Sequence, residues 1–300
     1  MADIGLDLIQ SFLIVAREQS FRKSAELLHI DRSALSRRIQ RLEQQLGFPV
    51  LERTTREVSL TPAGRVMYES GDQMLNSYTA AIEGARAVAE GKTGSLRIGY
   101  MAFAATHSMP RAVATFQANH PEVDLRIQYI RTQGQKVALA NDEIDVGFLI
   151  GPFVHSDFHA RSLGSEPLMA VMSPRHPLAD TTDTIDPSQF AEHDLILGDM
   201  IEWEAYRWRL TELFSIEGIE PRIKLEASNT LALIGLVAAG LGVTICPRSM
   251  LEIFGESITA RAINHPQFQI ETALVWRRNN RMAALRNFVE LVEEKYTGPG

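Results

Sequence analysis

Within Ser20 to Leu46, Arg32, Ser33, Ser36, Arg37, Arg38, Gln40 and Arg41 crowd one edge of a segment whose other edge repeats Leu35, Ile39, Leu42 and Leu46 at helical spacing. Arginine presents a fork of donors matching the O6 and N7 of guanine, and serine reaches either a base edge or a phosphate. Such an edge could read the major groove of DNA, with the first turn, Arg32 to Arg37, on the bases and Arg38 and Arg41 on phosphate or solvent. A solvated face on an ordinary helical bundle is the competing reading of an Arg- and Gln-rich helix taken alone.

The surrounding elements decide between the two. Ile9, Phe12, Leu13 and Ala16 give a first amphipathic helix; Ala25 and Leu28 face inward from a second, and Ile30 plugs a tight turn before the third. This is the core pattern of a helix-turn-helix. Val50 to Arg53 and Glu57 to Leu60 are two short alternating segments about a polar turn. They predict a hairpin wing carrying Arg53 and Arg56 to the DNA backbone or minor groove. The chain carries a net charge of −7, yet between residues 32 and 56 there are six arginines against two glutamates, so positive charge is concentrated here.

Thr61-Pro62 reads as a helix start, with a capping hydroxyl and a proline in the first turn. Met67, Gly71, Met74, Tyr78, Ala81, Ala85 and Val88 then alternate steps of four and three. That predicts a linker helix of roughly 45 Å whose stripe pairs with a second chain; a single helix packed on its own domain is the competing reading. A two-fold dimer would present two reading helices to a two-fold DNA site.

Beyond Gly94 strands alternate with helices: strands near 96–100, 123–130, 145–150, 166–172, 195–197, 222–226, 243–247 and 269–276, and helices near 109–119, 135–140, 204–216, 229–239 and 281–295. This pattern predicts two α/β lobes with crossing strands and a cleft between them, the usual place for a small ligand. Single Cys246 excludes an internal disulfide and fits a reducing compartment. The N-terminus lacks the basic and apolar regions of a signal peptide, and the most apolar run, Leu231 to Cys246, is too short and glycine-broken to span a membrane. A soluble cytoplasmic protein is expected. The histidines are scattered, with no C-x-x-C or G-x-S-x-G; His155 and His159 lie four apart in a loop-like context, so neither a metal site nor a nucleophile elbow is signalled. A two-lobed enzyme is the rival class and is not favoured.

The chain as a whole resembles a LysR-type transcriptional regulator, through SFRKSAELLHIDRSALSRRIQRLEQQLG, LERTTREVSLTPAG, LRIGY, FQANHPEVDL, DEIDVGF, SPRHPLA and LVAAGLGVTICP in the family's order and spacing. The resemblance implies a winged helix-turn-helix over 1–60, a linker and dimerisation helix over 61–92, and an effector-binding domain over 93–300 with the fold of periplasmic solute-binding proteins. Lobe I of that domain would be about 93–163 and 266–300, and lobe II about 164–265. It implies double-stranded operator DNA as partner, a homotetramer built from dimers, RNA polymerase contact in an activator, and no cofactor beyond a small-molecule inducer. Arg32 and Ser33 stand where the family often has Gln and Pro.

For the inducer, the resemblance points to Met101, Ala102, Phe103 and Thr132 on one side of the cleft and to Met200, Ile201, Trp203, Ser228 and Thr230 on the other. Thr132 and Ser228 precede helices, Ser228 as the cap of the helix from Asn229 to Ala239, and the free N–H groups at such helix starts favour a carboxylate. Phe103 replaces a hydroxyl common in the family and predicts an apolar or aromatic wall, which Trp203, Tyr206 and Trp208 could enlarge. Trp208 reads better as a core or dimer residue. The expected function is a DNA-binding regulator responding to a small carboxylate, aliphatic or aromatic; an inducer-independent regulator is the alternative.

Overall fold

The computed structural model describes residues 4–53, 58–106, 108–180 and 184–296. The chain divides into two compact units, Met1–Arg86 and Ala87–Gly300.

In the first unit, α1 (Leu6–Glu18), α2 (Phe21–Leu27) and α3 (Arg32–Leu46) enclose a core of Phe12, Leu35, Ile39, Leu42 and Val50. Each fully buried Leu, Ile or Phe of this kind contributes about 1.5–3 kcal/mol. Buried Ala25 keeps α2 small at its contact, and the buried Ser24 hydroxyl donates to the Ser20 carbonyl at 2.7 Å. The wing is an antiparallel pair, β1 (Leu51–Arg53) and β2 (Val58–Leu60), with Leu51 opposite Leu60 and Arg53 opposite Val58. α4 (Pro62–Ala89) begins as expected: Thr61 Oγ1 accepts the Gly64 N–H at 2.8 Å and donates to the Pro49 carbonyl at 2.9 Å. Gly64 is required there, because a Cβ would lie 1.9 Å from the Val50 carbonyl oxygen.

The expected stripe for a second chain is corrected at its N-terminal end. Met67 packs on the first unit's own core, and a Cβ at Gly71 would sit 3.3 Å from Leu13. Packing against α1 uses the same 3.6-residue period as packing against another chain. From Met74 onward Tyr78, Ile82 and Val88 are exposed.

The second unit holds a seven-stranded sheet in the order Thr259–Ala262, Phe158–Met172, Gln269–Arg277, Val146–Ile150, Gly94–Tyr100, Val123–Tyr129, with Thr244–Pro247 also pairing Phe158–Met172, and a separate pair, Leu195–Gly198 with Ile223–Ala227. β3 (Gly94–Tyr100) pairs in parallel with β4 (Val123–Tyr129) and β5 (Val146–Ile150). α5 (Ser108–Asn119) and α6 (Thr132–Ala140) are the crossovers. The Asp145 carboxylate, buried at the start of β5, receives the Arg97 N–H at 2.8 Å and its guanidinium at 2.7 and 3.0 Å, locking β5 beside β3.

β6 (Phe158–Met172) starts earlier than the expected strand and runs through both halves of the unit. Up to Pro167 it pairs with β11 (Gln269–Arg277); from Leu168 it pairs with β9 (Thr244–Pro247), and from Met169 also with β10 (Thr259–Ala262). β7 (Leu195–Gly198), α7 (Glu204–Ile216), β8 (Ile223–Ala227) and α8 (Thr230–Ala238) complete the second half, and α9 (Ala283–Tyr296) returns to pack Phe288 against Phe116 and Phe148. No helix among the described residues is long and apolar enough to cross a membrane.

Candidate DNA-reading edge and effector cleft

On α3 the side chains of Arg32, Ser33, Arg37, Gln40 and Arg41 are exposed and Ser36 is half-buried, so one continuous polar edge is presented. Arg38 departs from it: Nη1 donates to the buried Ser11 hydroxyl at 3.3 Å, which turns the guanidinium toward α1. Asp31 precedes α3 without capping it through its side chain, which leaves the helix's first N–H groups open beside Arg32 and Ser33. Arg56 lies outside the described residues, and Arg53 is described only as the last residue of β1.

One residue positions the wing without having drawn attention in the sequence. Glu43 Oε1 accepts the N–H of Val50 at 3.0 Å and of Leu51 at 3.2 Å, so the carboxylate near the end of α3 holds the start of β1. Its negative charge within an arginine-rich stretch was the only available signal.

In the second unit a cleft opens at the C-terminal ends of β3 and β4, where a ligand in an open α/β sheet is expected. Met101 Sδ accepts the Phe103 N–H at 3.1 Å and opens a single helical turn, Ala102–Ala105. Phe103 is largely buried and lines the cleft; its ring stands edge-on to Trp203 at 5.4 Å and to Tyr206 at 4.7 Å. Tyr206 donates to the Ile245 carbonyl at 2.7 Å, and burial raises its phenol well above the ordinary value. The Trp203 indole N–H reaches the Ser228 carbonyl at 3.3 Å. That ring occupies the space a side chain on residue 198 would need, since a Cβ on Gly198 would lie 2.2 Å from Trp203 Cγ.

The cleft thereby falls into two compartments that share Ala102, Tyr129 and Trp203. One, about 30 Å³, is lined by Met101, Phe103, Arg131, Thr132, Glu202 and Glu204 among others; that is room for roughly one or two waters. Thr132 lies there, but its Oγ1 already accepts the Ile150 N–H at 3.4 Å. Arg131 Nη1 donates to the Ile201 carbonyl at 2.9 Å, clasping the two sides. Tyr129 titrates above its ordinary value, chiefly through burial and then through the negative charge of Glu202. The other compartment, about 450 Å³, is lined by Trp203, Leu231, Met250 and Phe254, with Ser228, Asn229 and Thr230 at the start of α8.

Several expectations are corrected. The Met200 and Ile201 side chains are exposed and line neither compartment, because Asp199 Oδ1 accepts the N–H of Ile201 at 2.9 Å and of Glu202 at 2.7 Å and turns that segment outward. Asn229, not Ser228, caps α8: its side chain accepts the Ala232 N–H at 2.9 Å. Trp208 is exposed rather than in the core. Tyr129, Arg131, Met250 and Phe254 line the cleft without having been expected; the position of Tyr129 at the C-terminal end of its strand was a usable signal. No group of His, Cys, Asp and Glu suited to a metal is found among the described residues.

A winged helix-turn-helix followed by a two-lobed α/β unit matches two family profiles. Residues 6–65 match the bacterial regulatory helix-turn-helix protein of the lysR family, and residues 89–297 match the LysR substrate binding domain. The chain belongs to the LysR family. It is a LysR-type transcriptional regulator with a DNA-binding helix-turn-helix and a domain for a small-molecule effector, and not an enzyme. Among curated relatives, the HTH-type transcriptional regulator AlsR of Bacillus subtilis (strain 168) is 28% identical over 283 residues, covering 94% of this chain and 93% of AlsR. The HTH-type transcriptional regulator IlvR of Caulobacter vibrioides is 30% identical over 291 residues, covering 96% of this chain and 97% of IlvR. Full-length CbnR, a LysR family regulator solved in complex with its target DNA, superposes with a TM-score of 0.81 at 24% identity, over 97% of this chain and 99% of CbnR.

Proposed function

We propose that Arg32, Ser33, Ser36, Arg37, Gln40 and Arg41 read an operator in the major groove while Arg53 and Arg56 contact its backbone, and that a small carboxylate with an apolar or aromatic body is the effector. The observation that carries the effector reading is the 450 Å³ compartment, whose lining includes Leu231, Met250, Phe254 and Trp203 and no acidic side chain. Ser228, Thr230 and the N-terminus of α8 offer a carboxylate its donors at one end. The smaller compartment, lined by Arg131 as well as Glu202 and Glu204, is too small for such a ligand.

The wider arrangement belongs to the same proposal. The domains are 1–60, 61–92 and 93–300, with β6 and β11 as the strands that cross between the lobes. Chains pair through the exposed Met74 to Val88 face of α4 and assemble as dimers or tetramers in the cytoplasm; in an activator the assembly also meets RNA polymerase. Effector binding shifts the population between arrangements of the paired wings.

A thermal-shift series of aliphatic and aromatic carboxylates on the full chain tests the effector. A ligand present at a hundred times its Kd adds about 2.7 kcal/mol of stability, and Thr230→Val should reduce the shift. A flat series would leave the inducer-independent regulator standing. For DNA, Arg37→Ala should abolish preference for the operator, and Arg53→Ala should weaken binding to all sequences and flatten its salt dependence. Unchanged operator affinity in the Arg37 variant would sink the reading edge.

A further inference from the structure

Phe103 also lines a second cavity, about 340 Å³, which shares no other residue with either compartment of the cleft. Its walls come from the paired strands β6 and β11 and from the turn after β9. Phe103, Leu163, Pro167 and Ile270 are apolar, Ser165 and Thr272 bring hydroxyls, and Glu166 and Arg248 bring one charge of each sign. The volume lies at the small end of the range for ligand pockets, which runs from about 300 to 1,000 Å³.

The two charges differ in how they are held. The Glu166 carboxylate is fixed by Ser249, whose N–H donates at 2.8 Å and whose hydroxyl donates at 2.9 Å. The Thr106 hydroxyl lies 3.2 Å from that same Ser249 oxygen, tying the carboxylate to the turn that carries Phe103. A carboxylate has about four acceptor sites, so Glu166 keeps capacity for a further donor. Arg248 is exposed and makes no hydrogen bond or ion pair among the described residues.

An anion brought to Arg248 would meet the charge of Glu166, and a cation brought to Glu166 would meet that of Arg248. A molecule carrying both charges on adjacent atoms, with an apolar body, leaves neither side chain uncompensated. We infer that this cavity binds an apolar α-amino acid, its ammonium at Glu166, its carboxylate at Arg248 and its side chain against Phe103, Leu163 and Ile270. The inference is independent of the carboxylate proposed for the cleft. Because Phe103 stands edge-on to Trp203, an occupant here presses on the partition between the two cleft compartments.

Isothermal titration of the full chain with L-phenylalanine and L-leucine tests this, with 3-phenylpropanoate and 2-phenylethylamine as the two half-ligands. Binding of at least one amino acid is expected, with each half-ligand at least about tenfold weaker than L-phenylalanine, as the loss of a charge-assisted hydrogen bond demands. Arg248→Ala should weaken the amino acid by about tenfold or more while leaving the ligand-free melting temperature and the carboxylate thermal shift of the cleft unchanged; Glu166→Gln should weaken it as much and also lower the melting temperature, because it disturbs the two bonds from Ser249. Absence of amino-acid binding at millimolar concentration, equal binding of 3-phenylpropanoate, or full affinity in both variants would overturn the assignment. A carboxylate series that is flat while the amino acids bind would count against the cleft reading alone.

Discussion

Glu43→Ala removes the single acceptor shared by the Val50 and Leu51 amides, at 3.0 and 3.2 Å. Both residues are buried, Val50 completely and Leu51 to 5% exposure, so water reaches the stranded N–H groups only if the wing moves. Hydrogen bonds to a charged group contribute about 1.5–3 kcal/mol each, and a buried donor left unpaired costs about 1–3 kcal/mol. Two such donors released together, partly relieved by local rearrangement, put the expected cost at about 2–4 kcal/mol. The loss falls on the attachment of β1 to α3, and hydrogen exchange reads it directly. A local opening made easier by about 2 kcal/mol exposes these amides roughly thirty times more often. Exchange measured on a peptide spanning residues 48–53 should accelerate by at least that factor, while one spanning α1 changes far less. Glu43→Gln keeps an amide oxygen at the same reach and should recover most of the protection. Equal acceleration in the Ala and Gln variants, or none in Glu43→Ala, would refute the claim that this carboxylate holds the wing.

Gly64→Ala forces a Cβ to within 1.9 Å of the Val50 carbonyl; backbone must shift, and unfolding in urea should show a loss of about 3 kcal/mol or more, within the range of severe single substitutions. Asn229→Ala should destabilise the second unit by about 1 kcal/mol through the lost cap of α8 and Ser228→Ala by less; the reverse order would restore Ser228 as the cap. The Cys246 thiol is pushed up to about 12 by burial, with the charge of Glu166 adding to it. At pH 8 only about one thiol in ten thousand is then ionised, so iodoacetamide should label the folded chain only at the rate of unfolding. Because the folded thiol holds its proton where an unfolded one, near 9.0, releases it, stability should also fall as pH rises above about 9, and chemical denaturation at pH 8 and 10 checks the sign.

The helix-turn-helix was legible because α3 alone carries both signals, apolar Leu35, Ile39 and Leu42 inward and Arg37, Gln40 and Arg41 outward, in contiguous residues. Periodicity does not name the partner, which is why Met67 and Gly71 looked like part of an intermolecular seam and prove to lie on α1. The start of β6 was hidden because Arg161, Ser162, Gly164 and Ser165 are exposed and polar. Their strand character comes from β11, more than a hundred residues away, and no local window contains that. β10, only Thr259–Ala262, was missed for the same reason. In the cleft the sequence located the loops but not their rotamers. Phe103, expected as a wall, lines the cleft while its ring packs inward on Trp203 and Tyr206, and the Thr132 oxygen accepts the Ile150 N–H while its own O–H remains a donor.

The position of β11 between β5 and β6 bears on how the protein is made. On the ribosome the helices and wing of the first unit emerge with every neighbour in their core already synthesised, and domains generally fold as they emerge, N-terminal first. The sheet of the second unit is different: β5 and β6 have no shared partner until Gln269–Arg277 has been translated, so lobe I cannot close before nearly the whole chain exists. A message truncated upstream of that strand would therefore yield a folded reader joined to an unfinished sensor, able to occupy operators but deaf to the effector.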